Sequence, residues 1–102
     1  MQNDPHSAAL RYAIARALIP HNKPARIGVW IENLFAECAH ADFESFTDFA
    51  FECSQMERVG LLSLSRSEIR ASLIAAGKKP GAKDCRSVNP TPDLIKTMRV
   101  AG

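Results

Sequence analysis

The sequence predicts a small, mainly α-helical domain with a minor two-stranded β element. Three observations lead there. Apolar residues recur at the i, i+3, i+4, i+7 spacing of amphipathic helices in three successive stretches before Gly60. The run Leu61–Leu64 is apolar and too short for a helix, but long enough for a strand of about four residues. Ser65 and Glu68 then form an S-x-x-E pattern, in which side chain and backbone cap each other at a new helix start. With 102 residues the chain can bury one core, so residues 1–102 form a single domain, with 1–6 and 78–90 as flexible segments.

Ser7 is positioned to cap the first helix, in which Leu10, Ala13, Ile14, Ala17 and Leu18 mark the buried stripe. Arg11 and Arg16 lie off that stripe and are expected to face water. Pro20 ends the helix, and Pro24 suits the first turn of the next one, where a missing N–H costs nothing. Ile27, Trp30, Ile31, Leu34, Phe35 and Cys38 then predict one continuous helical face over three turns. Asp42 is the expected cap of a third helix, buried through Phe46, Phe49, Ala50, Cys53 and Met56. Phe51 falls about 130° from that stripe at about 100° per residue, so its ring is expected in solvent. Gly60 stands where a left-handed residue closes a helix.

Beyond the strand, Ile69, Leu73 and Ala76 are expected to form the inner face of a fourth helix that stops at Gly77. The composition of residues 78–90 reads as a loop. The last segment carries both a helix start, Thr91-Pro92-Asp93, and a strand-like alternation of Leu94, Lys96, Met98 and Val100. The strand is preferred here, because Leu61–Leu64 needs a partner for its backbone groups.

The bulk composition, 46% apolar and 24% charged, is that of a globular protein. No apolar run is long enough to span a bilayer, no basic start precedes an apolar stretch, and three cysteines are an odd number for a disulfide framework. A cytoplasmic location with reduced thiols is the expectation. The net charge of +2 conceals a pattern. Residues 1–29 carry four bases against Asp4, residues 30–59 seven acids against Arg58, and residues 60–102 eight bases against three acids. The net values are +3, −6 and +5, which bears on partners and assembly.

Motifs with chemistry are scarce. Cys38 and His40 are too close for the usual zinc-ligand spacing, and Cys38 and Cys53 sit on apolar stripes where cysteine acts as a small hydrophobe. Cys85, among Lys83 and Arg86, has the most polar setting of the three thiols and reads as a loop cysteine. His6, His21 and His40 lie in terminal or linking positions. The segment GKKPGAK lacks the phosphate-loop pattern, and Glu44, Asp48 and Glu52 read as a solvated acidic face. No cofactor, metal or catalytic residue is indicated, and the expected role is non-enzymatic.

Taken in order, RYAIARAL, ARIGVWIENLFAECA, FESFTDFAFECSQMERVG, LLSLS and LIKTMRV resemble a winged helix-turn-helix domain: three helices, a strand, a returning strand. The resemblance implies a DNA-binding or regulatory protein, or a protein-interaction module. Members commonly meet DNA through the third helix and the loop between strands. Here the third helix is acidic and ill-suited to a phosphate-lined groove, and a helix lies between the strands. The leading expectation is therefore phosphate contact through Arg66, Arg70, Lys78, Lys79, Lys83 and Arg86. The alternative is a protein partner or a homodimer held through Asp48, Phe51 and Glu52, an aromatic anchor in a charged rim.

Overall fold

The computed structural model describes residues 5–38, 41, 43–77 and 84–101. Five helices and three strands follow one another within them: α1 (Pro5–Leu18), β1 (Val29–Trp30), α2 (Ile31–Glu37), α3 (Phe46–Arg58), β2 (Leu62–Arg66), α4 (Glu68–Ala75), β3 (Arg86–Pro90) and α5 (Pro92–Ala101). The mainly helical class is as expected. The sheet has three antiparallel strands rather than two, in the order β1-β3-β2.

The apolar stripe of α1 is buried at Leu10, Ala13, Ile14 and Leu18, with Ala17 packed against the core more loosely. The helix begins at Pro5, two residues before the expected cap, because proline fits a first turn. Pro5 and His6 are thus helical, not loose. Ser7 does not cap; its hydroxyl donates instead to Glu52, 3.0 Å away.

The second helix departs most from its sequence pattern. Only Ile31–Glu37 is helical, and Ile27, expected on the buried face, is 79% exposed. Gly28 takes φ +69° and donates its N–H to Asn89 Oδ1 at 2.8 Å. That turn lays Val29 and Trp30 along the free edge of β3, in the register Val29↔Val88 and Trp30↔Ser87. A central strand has polar backbone on both sides, and pairing both outweighs one more helical turn.

In α3 the stripe of Phe49, Cys53 and Met56 is fully buried, with Phe46 and Ala50 partly so. Phe49 is the hub of an aromatic cluster, with ring centroids 5.2 Å from Phe35, 5.1 Å from Phe43 and 6.3 Å from Phe46. Ser45 caps this helix by accepting from the N–H of Asp48 at 3.2 Å. The cap expected of Asp42 lies outside the described residues, as do His40, Lys78, Lys79 and Lys83. Gly60 closes the helix at φ +83° as anticipated.

Ser65 is not a cap. It lies within β2, which runs to Arg66, and Ser67 caps α4 by accepting from the N–H of Arg70 at 3.1 Å. The partner of β2 is β3, not the final segment. Residues 86–90, assigned to a flexible loop, form the central strand, with Leu64 opposite Val88 and Val88 fully buried. With the strand partner supplied there, residues 92–101 are free to follow their helical spacing. Leu94 and Met98, i and i+4, are buried, while Thr91 Oγ1 donates to Gly60 O at 2.7 Å and accepts from Leu94 N–H at 3.4 Å. The strand expectation for this segment is therefore corrected.

Helix α4 is corrected as well. Its expected inner face of Ile69, Leu73 and Ala76 points to solvent, and none of its residues is buried.

Candidate functional site

Helices α1 and α3 pack together, and the polar residues at their seam decide what surface results. Ser7 and Arg11 lie one turn apart on α1 and both reach Glu52 of α3. The Arg11 Nε–Glu52 Oε1 distance is 2.9 Å, and Glu52 is only 8% exposed. A buried carboxylate needs such partners, since leaving it unpaired costs several kcal/mol, roughly 3–5. Neither residue behaves as expected of it: Arg11 is turned into the seam, and Glu52 is withdrawn from the solvated acidic face. No sequence signal links positions 41 residues apart.

Outside this clamp lie two adjoining grooves. One, about 250 Å³, is floored by Leu10 and flanked by His6, Phe43, Glu44, Asp48, Phe51 and Glu52. The other, about 350 Å³, runs along α1 past Ala9, Tyr12 and Arg16 and shares His6 and Leu10 with the first. Phe51 is 57% exposed and Tyr12 58% exposed, so two aromatic rings stand at an apolar floor. The exposure of Phe51 is as the helical spacing indicated. Asp48, Phe51 and Glu52 do come together, but Glu52 is spent on Arg11 and Ser7, which leaves Glu44 and Asp48 as the groove's carboxylates.

The charges that alternate along the chain are largely matched in space. Arg11 pairs with Glu52, Arg26 with Glu37, and Arg70 with Glu32, each joining a basic flank to the acidic middle. Arg66 pairs with Glu68 at 3.2 Å and Arg86 with Asp84 at 2.9 Å. Hydrogen bonding from Arg86 holds the Asp84 carboxyl below its ordinary range, and hydrogen bonding from Arg26 does the same for Glu37. Among the described residues, Glu44, Asp48, Glu57 and Asp93 are the acids without an ion pair. Three of those four belong to α3 or the turn before it.

Among the described residues the candidate phosphate residues stay near one another, with Arg66 directly opposite Arg86 across β2 and β3, but each is engaged by an acid. Arg70 lies with its guanidinium 4.0 Å from the centre of the Trp30 ring and its side chain only 11% exposed. Arg86 makes a two-pronged contact with Asp84. Arg66 is the most open of the three. A different set of bases gathers elsewhere: Arg16, His21 and Arg99 line a depression of about 240 Å³ between the end of α1 and α5, with Ile19 and Met98 beneath and no acid in its wall. Local spacing does not reveal it, because Arg16 and Arg99 meet only where α5 packs beside the end of α1.

The thiols are not poised for reaction. Burial pushes Cys38 up to about 11 and Cys53 up to about 12, and both are fully enclosed. Cys85 is half-buried beside β3. Among the described residues no group of three or more His, Cys, Asp or Glu side chains is arranged to hold a metal. No helix among them is long and apolar enough to cross a membrane. No protein family, curated protein or solved structure matches the chain.

Proposed function

We propose that this chain is a non-enzymatic protein-interaction module of winged-helix type, and that its partner site is the groove between α1 and α3. The observation that carries the reading is the exposure of Phe51 and Tyr12 over an apolar floor beside two unneutralised carboxylates, Glu44 and Asp48. Aromatic anchors ringed by charge are the usual energetic centres of interfaces. The complementary partner is an amphipathic helix with aliphatic residues on one side and lysine or arginine along its edge. The winged-helix assignment is supported by the succession of three helices, β2 and the returning β3, and by a third helix freed from core duty on its acidic side.

A labelled amphipathic peptide of leucine and lysine tests this by fluorescence anisotropy. It should bind saturably, and Phe51→Ala should weaken it by about tenfold or more with an unchanged circular dichroism spectrum. Binding indifferent to Phe51→Ala, or none at about millimolar concentration, sinks the reading.

Nucleic-acid association is the second reading, and the acid-free depression of Arg16, His21 and Arg99 favours it alongside Lys78, Lys79 and Lys83 between β2 and β3. Random duplex should then bind with a steep salt dependence, and Arg16→Ala with Arg99→Ala should each flatten the logarithmic slope by about one. A slope indifferent to both changes removes this depression from consideration.

A further inference from the structure

Helix α4 carries an apolar stripe that none of the described residues of its own copy buries. Ile69, Leu73 and Ala76 follow one another at i, i+4 and i+7, with Ile69 79% and Leu73 38% exposed. The helix does not simply lack a place to turn. Arg70, about 100° round the helix from Ile69, is held between the Trp30 ring and the Glu32 carboxylate, and Ala71 and Ile74 are half-buried. The anchor is polar and aromatic, and it holds the aliphatic stripe outward. Exposed aliphatic side chains at helical spacing are the usual form of a helix that fits an apolar groove.

Such a groove exists on this same molecule, and no residue of α4 lines it. Its rim bears Glu44 and Asp48 without ion pairs. The chain after α4 carries Lys78, Lys79 and Lys83 within six residues of sequence. The two surfaces match in apolar character, and the sequence that follows α4 is basic where the groove's rim is acidic. We propose that α4 of one copy docks into the α1–α3 groove of a second copy, so that the protein assembles head to tail. The inference rests on the groove being a partner site, and it names the partner. Because knob and groove are separate surfaces, both can be occupied at once. The contact is heterologous, and it closes into rings or extends into filaments.

Two one-sided variants test this in sedimentation velocity. Phe51→Arg blocks the groove and keeps the knob; Ile69→Asp with Leu73→Asp blocks the knob and keeps the groove. Circular dichroism checks that each is folded, and all three substituted side chains are solvent-facing. The unaltered protein should grow in mass with concentration, and each variant alone should remain a monomer. Mixed in equal amounts, the two variants should form a dimer and nothing larger, since one intact knob meets one intact groove. An unaltered protein that stays monomeric overturns the proposal, and so does a mixture that stays monomeric. If the protein is monomeric while the leucine–lysine peptide still binds in a Phe51-dependent way, the groove reading stands and only self-assembly falls. If both fail, both fall.

Discussion

Helices α3 and α4 present the same kind of apolar spacing and meet opposite fates. In α3, Phe49, Cys53 and Met56 disappear into the core, and the helix is flanked by α1, α2 and β2. In α4, Ile69, Leu73 and Ala76 face water, and attachment runs through Arg70 on the flank of that stripe. Amphipathic spacing therefore predicts which residues share a face. It does not predict whether a neighbour will be there to cover that face. For α3 the neighbours come from the helices before it. For α4 the available surface, the outer edge of β1 and α2, offers Trp30 and Glu32, and a guanidinium suits those better than a leucine does.

The contrast is broken most directly by paired truncations. Phe49→Ala should lower unfolding free energy by about 3–5 kcal/mol, read by urea denaturation, because the aromatic cluster cannot close over the void. Ile69→Ala should shift it by no more than about 0.5 kcal/mol. A large cost at Ile69 would mean that α4 is covered after all.

Next in size is the seam between α1 and α3. Glu52→Ala strands Arg11 and Ser7 and should cost about 1–3 kcal/mol in the same measurement, with Glu52→Gln recovering part through the Ser7 hydroxyl. Arg70→Ala should act locally instead. Amides of α4 should exchange with deuterium about tenfold faster while those of α3 hardly change. Equal acceleration in both helices would merge the two regions into one cooperative unit.

The enclosed thiols predict an alkaline weakness of the core side alone. In the unfolded chain a thiol ionises near about 8.5. Cys38 and Cys53 retain their protons in the fold until about 11 and about 12, because burial disfavours the thiolate. Folded pKa values raised above the unfolded ones mean that stability is intact below about pH 8.5 and is lost as pH rises from there toward 11. The slope should be about 1.4 kcal/mol per pH unit for each thiol. A Cys38→Ala, Cys53→Ala protein should be less stable overall but flatter across that window. The smallest effect expected is in thiol labelling at neutral pH: Cys85 should react with a disulfide reagent well before Cys38 and Cys53, which should wait for unfolding.

Several elements were legible because their signals are local. The stripe of α1, the burial of Phe49, Cys53 and Met56, the exposure of Phe51 and the turn at Gly60 all follow from spacing and backbone preference within a few residues. The errors share a cause. The second helix lost Val29 and Trp30 to β3, an edge 59 positions later for Val29, and its full-length apolar pattern had no way to register that. Residues 86–90 looked like a loop because Asn89 and Pro90 are poor strand formers, yet Val88 sits at the centre of the sheet with strands on either side. Misplacing that strand then forced the final segment to supply one, against its own cap at Thr91. At the candidate groove, Phe51 and Asp48 were within reach of the sequence, whereas Tyr12, Leu10 and Phe43 were not, since they join it only through the packing of α1 on α3.

By itself, the order of residues determined that this chain is mostly helical, where most helices run, which side chains of α1 and α3 seek the interior, and that charge alternates in thirds. Only the tertiary structure decided which strands pair, that Glu52 is clamped by Arg11, that Arg70 rather than Ile69 holds α4, and which carboxylates remain unneutralised. The physical reason is range. Helical spacing and turn geometry are set by neighbours along the chain, while strand pairing, ion pairing and burial depend on partners that folding brings together from far along it.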